Sequence, residues 1–149
     1  MKVSALYRFP VKGLSGEPLE SVNLRAGYGF PLDRMYAVTD GSLDFDESHP
    51  VPAPKTQFLM LAKYERLARL RTRLRSEDSV LTVEEDGRPA KEFRLEMERD
   101  KRAFADFLGN YVGMPLPGTP RVVRADGHQF TDVSVHSVAL MRSISLINL

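Results

Sequence analysis

The sequence predicts a mainly β domain of antiparallel strands with one helix packed against the sheet. Three observations carry this. Short runs of alternating polar and apolar residues recur between glycine and proline turns, the pattern of half-buried strands. A helical period is sustained only once, where Phe104, Phe107, Leu108, Tyr111 and Val112 fall at i, i+3, i+4, i+7 and i+8. The 149 residues contain no cysteine, so the fold has to rest on a buried core, without disulfides or cysteine-bound zinc.

In chain order, Val3 to Phe9 alternates loosely and reads as a strand ended by Pro10. A turn with two glycines follows from Lys12 to Gly16. Glu20 to Arg25, with Val22 and Leu24 on one face, reads as a second strand, and Met35 to Thr39 as a third, closed by Asp40-Gly41. Ser42 to Lys55 combines Asp44, Asp46 and Glu47 with His49 and three prolines, and is an exposed loop. A short helical turn is expected at about 59–66. From Ala68 to Arg75 apolar or small residues alternate with Arg69, Arg71, Arg73 and Arg75, a period of two that predicts a strand. Val80 to Glu85 and the stretch marked by Phe93, Leu95 and Met97 complete an antiparallel meander with one wet face. The helix, at about 100–112, takes Asp100 as its N-cap and Gly113 as its C-terminal stop, with Pro115 preventing continuation. Arg121 to Arg124 and Val133 to Leu149 read as further strands.

Twenty-one basic residues face 20 acidic ones, so net charge selects no partner. The absence of cysteine excludes thiolate catalysis. The N-terminus lacks the apolar core of a signal peptide and no run reaches membrane-spanning length, so cytoplasmic residence without a membrane partner is expected. The apolar run from Val138 to Leu149 has two readings: a final strand in the sheet, or a surface that further chain would cover.

Among candidate sites, Phe9 to Gly16 comes first. Its lysine enters a glycine turn whose N–H groups and ammonium can face one anion, and Arg34, in Leu32-Asp33-Arg34, can bring a guanidinium to the same point. The alternatives are an ordinary surface turn and a surface Asp33–Arg34 pair. A Walker A loop is excluded, because there the lysine follows the glycines. The arginines at 69–75 could track phosphates, yet Glu84, Glu85, Glu92, Glu96 and Glu98 on neighbouring segments explain them as cross-strand pairs, so no nucleic-acid partner is expected. Asp126, His128 and Asp132 could share a strand face, but match no metal-ligand spacing. Ser15 and His136 lack a nucleophile elbow. No catalytic residue and no metal ligand is assigned.

Taken together, Tyr7 to Val22 and Gly29 to Val38, with Phe58-Leu59-Met60, Glu65 to Ala68, Gly127 to Asp132 and Ile144 to Leu149, resemble the N-terminal β-barrel domain of MOSC proteins (molybdenum cofactor sulfurase C-terminal). The resemblance implies a barrel domain over 1–125. It places at 126–149 the junction and first strands of a truncated MOSC domain packed on the barrel. It also implies a role in clamping the phosphate end of the molybdenum cofactor (molybdopterin) through Lys12, Gly13 and Arg34. Gly13 stands where some members carry serine. Sulfur transfer or molybdenum-dependent reduction would belong to the full-length protein, this chain alone being inactive and holding no cofactor. The expected partners are the missing C-terminal MOSC domain and a redox or sulfur-donor protein. The alternative is a non-catalytic protein-interaction module using the arginine face or the acidic proline loop.

Overall fold

In chain order the strands are β1 (Leu6–Arg8), β2 (Glu17–Leu19), β3 (Tyr36–Thr39), β4 (Arg71–Arg75), β5 (Val80–Glu84), β6 (Lys91–Arg94) and β7 (Arg121–Arg124), with one helix, α1 (Glu98–Tyr111), between β6 and β7. These come from a computed structural model that describes residues 3–130. The expected strands in 133–149, and with them Asp132 and His136, lie outside the described residues. The strands form three antiparallel sheets, β1-β2, β3-β7 and β4-β5-β6, which do not close into a barrel among the described residues.

The central element is β3. All four of its residues are buried, because it is flanked on both sides. On one side β7 pairs with it, Tyr36 opposite Arg124 and Thr39 opposite Arg121. On the other, the 9–12 segment makes a parallel bridge at Val11 and Tyr36, and Phe58 makes an antiparallel bridge with Thr39. Burial on both faces requires the apolar run Tyr36-Ala37-Val38, where a half-exposed strand would alternate.

In β4 the predicted period of two holds from Arg71 onward: Thr72 and Leu74 are buried while Arg71, Arg73 and Arg75 are exposed. Arg69 does not belong to that row, because Glu65–Arg69 is a 3-10 turn, slightly later than the 59–66 expected. The cross-strand pairing is real but draws on nearer acids than foreseen. Arg71 lies 3.9 Å from Glu84 and 2.6 Å from Asp86, and Arg75 pairs with Asp78 at 2.8 Å.

Helix α1 lies across β6 and β7 with Phe104, Ala105, Leu108 and Tyr111 inward. Phe104 is fully buried and its ring stands 5.1 Å from that of Phe93. Burying such a side chain stabilises by roughly 1.5–3 kcal/mol. Gly113, at φ 71°, supplies the left-handed stop that the sequence suggested.

Three local readings are corrected. Glu20 to Arg25 is not a strand; Leu24 is 59% exposed, and two alternating apolar residues with no surface to bury do not make a strand. The second strand is Glu17–Leu19 instead. Pro18 is tolerated there because β1-β2 is a two-stranded sheet with open edges. Met97 faces solvent as the helix N-cap, one step past the inward pair Phe93 and Leu95. Asp100 sits inside the first turn and accepts the Arg94 N–H at 2.9 Å, so it is not the cap.

Candidate functional site

The Lys12 turn is built by backbone constraints on both flanks. Leu14 N–H donates to Val11 O at 3.2 Å, closing a β-turn with Lys12 and Gly13 at its centre. Gly13 has φ 78°, which a turn with a left-handed third residue demands. Its Cα also faces a wall: an added Cβ would lie 2.6 Å from the Met60 backbone, and Gly13 O accepts the Leu61 N–H at 3.0 Å. The segment 57–61 therefore seats the turn, and no side chain fits at position 13.

The stretch before the turn runs beside Arg34 to Tyr36. Arg34 N–H donates to Phe9 O at 2.6 Å, Tyr36 N–H to Pro10 O at 3.3 Å, and Lys12 N–H to Tyr36 O at 2.8 Å. This ladder puts Lys12 and Arg34, separated by 22 positions in sequence, on adjacent chain segments. Asp33 reinforces the junction. Its Oδ1 accepts the Phe9 N–H at 2.7 Å, and its Oδ2 lies 3.5 Å from the Arg34 guanidinium. That guanidinium also stands 5.6 Å from the centre of the Phe9 ring. Arg34 itself has φ 50°, unusual for a residue with a Cβ.

Lys12 is only 6% exposed. Its Nζ donates to Phe130 O at 3.1 Å and lies 5.8 Å from the centre of the Phe58 ring. Phe130 N–H in turn donates to Arg34 O at 2.8 Å. One residue thus touches the Lys12 ammonium through its carbonyl and the Arg34 backbone carbonyl through its N–H. The ring of Phe130 packs against Phe45, Phe58 and His128, at 5.2, 5.8 and 4.9 Å between centroids. No residue pattern signals this role for Phe130, because it is played by backbone atoms. Gln129 adds a bond from Nε2 to Phe30 O at 2.8 Å.

The other sequence candidates are engaged elsewhere. Ser15 Oγ accepts the Thr72 N–H at 2.8 Å, tying the turn to β4. Asp126 is exposed and lies 3.5 Å from Arg124; His128 stands in the aromatic group around Phe130. Among the described residues no three His, Cys, Asp or Glu side chains are grouped to hold a metal ion. No helix among them is long and apolar enough to cross a membrane. A groove of about 590 Å³ runs between the acidic loop (Phe45, Asp46, Glu47, Ser48) and α1 (Lys101, Arg102, Asp106); none of Lys12, Gly13 and Arg34 lines it.

Chemically, the junction offers an ammonium, a guanidinium and a glycine turn on neighbouring backbone, a donor set suited to an anion. A family model described as the MOSC N-terminal beta barrel domain matches residues 1–112. No curated protein and no solved structure matches the sequence.

Proposed function

We propose, since the chain belongs to the MOSC N-terminal beta barrel domain family, that it forms one wall of a molybdenum-cofactor site and holds the phosphate end of that cofactor. Lys12 and Arg34 supply the charge, and Gly13 supplies an N–H. The observation that carries this reading is the parallel ladder from Phe9 to Lys12 along Arg34 to Tyr36, which sets both cations on adjoining backbone.

The residues present fit such a group. A phosphate ester takes several donors at once, and charge-assisted bonds to it are roughly twice as strong as neutral ones. Where a serine would add a hydroxyl, this chain has a glycine with no room for a side chain, so only the N–H is on offer at that position. When bound, the cofactor supplies sulfur transfer or reduction at molybdenum. The chain's own part is binding and orientation. It contains no cysteine, so a soft thiolate ligand for the metal has to come from a C-terminal MOSC domain. A redox or sulfur-donor protein is the further partner we assign, and the cytoplasm the compartment.

The experiment compares wild type, Lys12→Ala, Arg34→Ala and the double variant in the full-length protein, reading molybdenum by metal analysis and pterin by fluorescence. Each single change should lower cofactor retention about tenfold or more, the value of one lost hydrogen bond to a charged group. Unchanged retention in the double variant overturns the proposal.

A second reading, a docking module without a cofactor role, draws on the groove between the acidic loop and α1. It predicts that charge reversal at Arg102 and Asp106 changes partner capture while retention stays at the wild-type level.

A further inference from the structure

The outer edge of β7 carries a backbone pair that the fold leaves unmet, and the register shows where it points. Tyr36 N–H donates to Pro10 O and Tyr36 O accepts from Lys12 N–H, so both groups turn away from β7. Tyr36 and the facing Arg124 therefore share no ladder bond. Such pairs recur at every second position, so Val122, opposite Val38, also turns its N–H and carbonyl away from β3. Arg124 marks the same edge: its N–H donates to Glu47 Oε1 at 3.0 Å, a side chain standing where a further strand would lie. The Val122 N–H and carbonyl have no hydrogen-bond partner among the described residues, although Val122 is only 3% exposed. A backbone pair left unmet at that depth costs stability until a partner supplies the bonds.

Val122 also lines the groove of about 590 Å³ between the acidic loop and α1, so that groove opens onto this edge. Its walls stand on opposite faces of β7. Phe45 of the loop shares a buried cluster with Val123, whereas Ala105 and Leu108 of α1 share the other with Val122. The walls differ in charge as well. The loop presents Asp46 and Glu47. On α1, Lys101 is paired with Glu98 at 2.7 Å, but the exposed Arg102 forms no ion pair among the described residues.

Resting on the docking reading of this groove, we infer that β7 accepts one short antiparallel strand from a partner protein, with an acidic side chain against Arg102 and an adjacent basic one against Asp46. The partner residue opposite Val122 exchanges both backbone bonds with it and points to the α1 face; its neighbours point to the loop. Two devices keep the added strand short. Glu47 already holds the Arg124 N–H at one end, and Pro120 has no N–H to offer at the other. The backbone pair supplies affinity, and the two charged walls select the sequence. None of Lys12, Gly13 and Arg34 takes part.

The test uses the full chain and a synthetic peptide, acetyl-Thr-Val-Lys-Glu-Val-Thr-amide, with affinity read by calorimetry and the Val122 amide by hydrogen exchange. Bound peptide should slow exchange at the Val122 N–H. N-methylation at the peptide's glutamate removes the donor to Val122 O and should weaken binding about tenfold. Arg102→Glu should weaken it about threefold, the worth of an exposed ion pair. A peptide with lysine in place of that glutamate should recover the loss in the variant and bind wild type less tightly. Binding with unchanged Val122 exchange and equal affinity for the N-methylated peptide overturns the added strand and leaves side-chain docking in the groove. No binding at millimolar peptide overturns the strand and the docking reading together. Inorganic pyrophosphate, the probe for Lys12 and Arg34, should leave peptide affinity unchanged at constant ionic strength; competition between the two would put the peptide at those cations and overturn its assignment to β7.

Discussion

Glu17 and Arg8 form a buried, doubly anchored ion pair that ties the first sheet to the third. Arg8 Nε donates to Glu17 Oε1 at 2.6 Å, and Arg8 Nη2 lies equally close to it while donating to Leu74 O at 2.8 Å. Glu17 Oε2 accepts the Leu74 N–H at 3.1 Å. Both side chains are more than nine-tenths buried. The pair therefore satisfies the backbone of β4 at Leu74 on the edge facing away from β5.

Glu17→Ala leaves a buried guanidinium and an unpaired Leu74 N–H. The expected loss is about 3–5 kcal/mol, typical of removing one partner from a buried pair. Glu17→Gln keeps one acceptor oxygen and turns its NH2 donor toward either the guanidinium or the Leu74 N–H, so it should cost about 2–3 kcal/mol, less than alanine. Urea unfolding of both variants checks the order; equal losses would mean that a neutral acceptor recovers nothing and the carboxylate charge carries the whole contribution.

Gly13→Ser tests whether the turn tolerates a hydroxyl at position 13. A left-handed φ in a residue with a Cβ costs about 1–2 kcal/mol. The added atom also meets the Met60 backbone, which cannot rotate away as a side chain would. Together these should destabilise by about 2–4 kcal/mol. A serine variant as stable as wild type would show that segment 57–61 yields readily.

What the sequence revealed follows from whether the cause was local. The stripe on α1 and the alternation in β4 were legible because one element's own period encodes which face is buried, as Phe104, Leu108, Thr72 and Leu74 show. Val22 and Leu24 show the converse, since alternation states a preference and burial needs a neighbour. Asp100 was misread as a cap because an acid suits any position in a first helical turn, and the Arg94 N–H that claims it comes from β6. At the candidate site, residue type and spacing offered Lys12 and Arg34 only beside an ordinary turn and a surface ion pair, and the resemblance singled them out together with Gly13. The depth of Lys12 could not, for it depends on Phe58 and Phe130, and lysine ordinarily stays at the surface. The acidic partner of Arg8 was likewise invisible, because it depends on the register of β1 with β2, which sets Glu17 opposite Arg8.

Asp40 gives the fold a pH dependence at the acid end. Burial raises its carboxyl pKa, but bonds from Ser42 Oγ and N–H and from Lys63 outweigh that and hold it below its ordinary 3.8. A carboxylate with a lowered folded pKa stabilises fully above its unfolded value. That stabilisation is lost as pH falls through the folded value. Lys63, raised above 10.5 chiefly by its bond to Asp40, keeps its share below 10.5 and loses it as pH rises through its folded value. Asp40→Asn should therefore lie below wild type in melting temperature at neutral pH, and the gap should close as pH drops below 3.8. A gap constant down to acid pH would remove the carboxylate charge from the account.

Arg34 separates stability from binding at the candidate site. Its φ of 50° is held by the N–H bond to Phe9 O and the carbonyl's bond from Phe130. A strained residue of this kind persists only when its surroundings over-determine it. Arg34→Ala keeps the strain and loses the guanidinium, whereas Arg34→Gly loses the guanidinium and relieves about 1–2 kcal/mol of strain. Glycine's larger unfolded-state entropy takes back roughly 0.5–1 kcal/mol. The glycine variant should thus be more stable than the alanine variant by about 0.5–1 kcal/mol, the reverse of the usual order. Pyrophosphate affinity should fall by a similar factor in both, since neither carries a cation at position 34. Thermal unfolding and calorimetry on the same pair of variants give both answers. If alanine proves the more stable, the left-handed backbone at Arg34 is not kept in solution; if affinity survives in both, the guanidinium has no part in holding the anion.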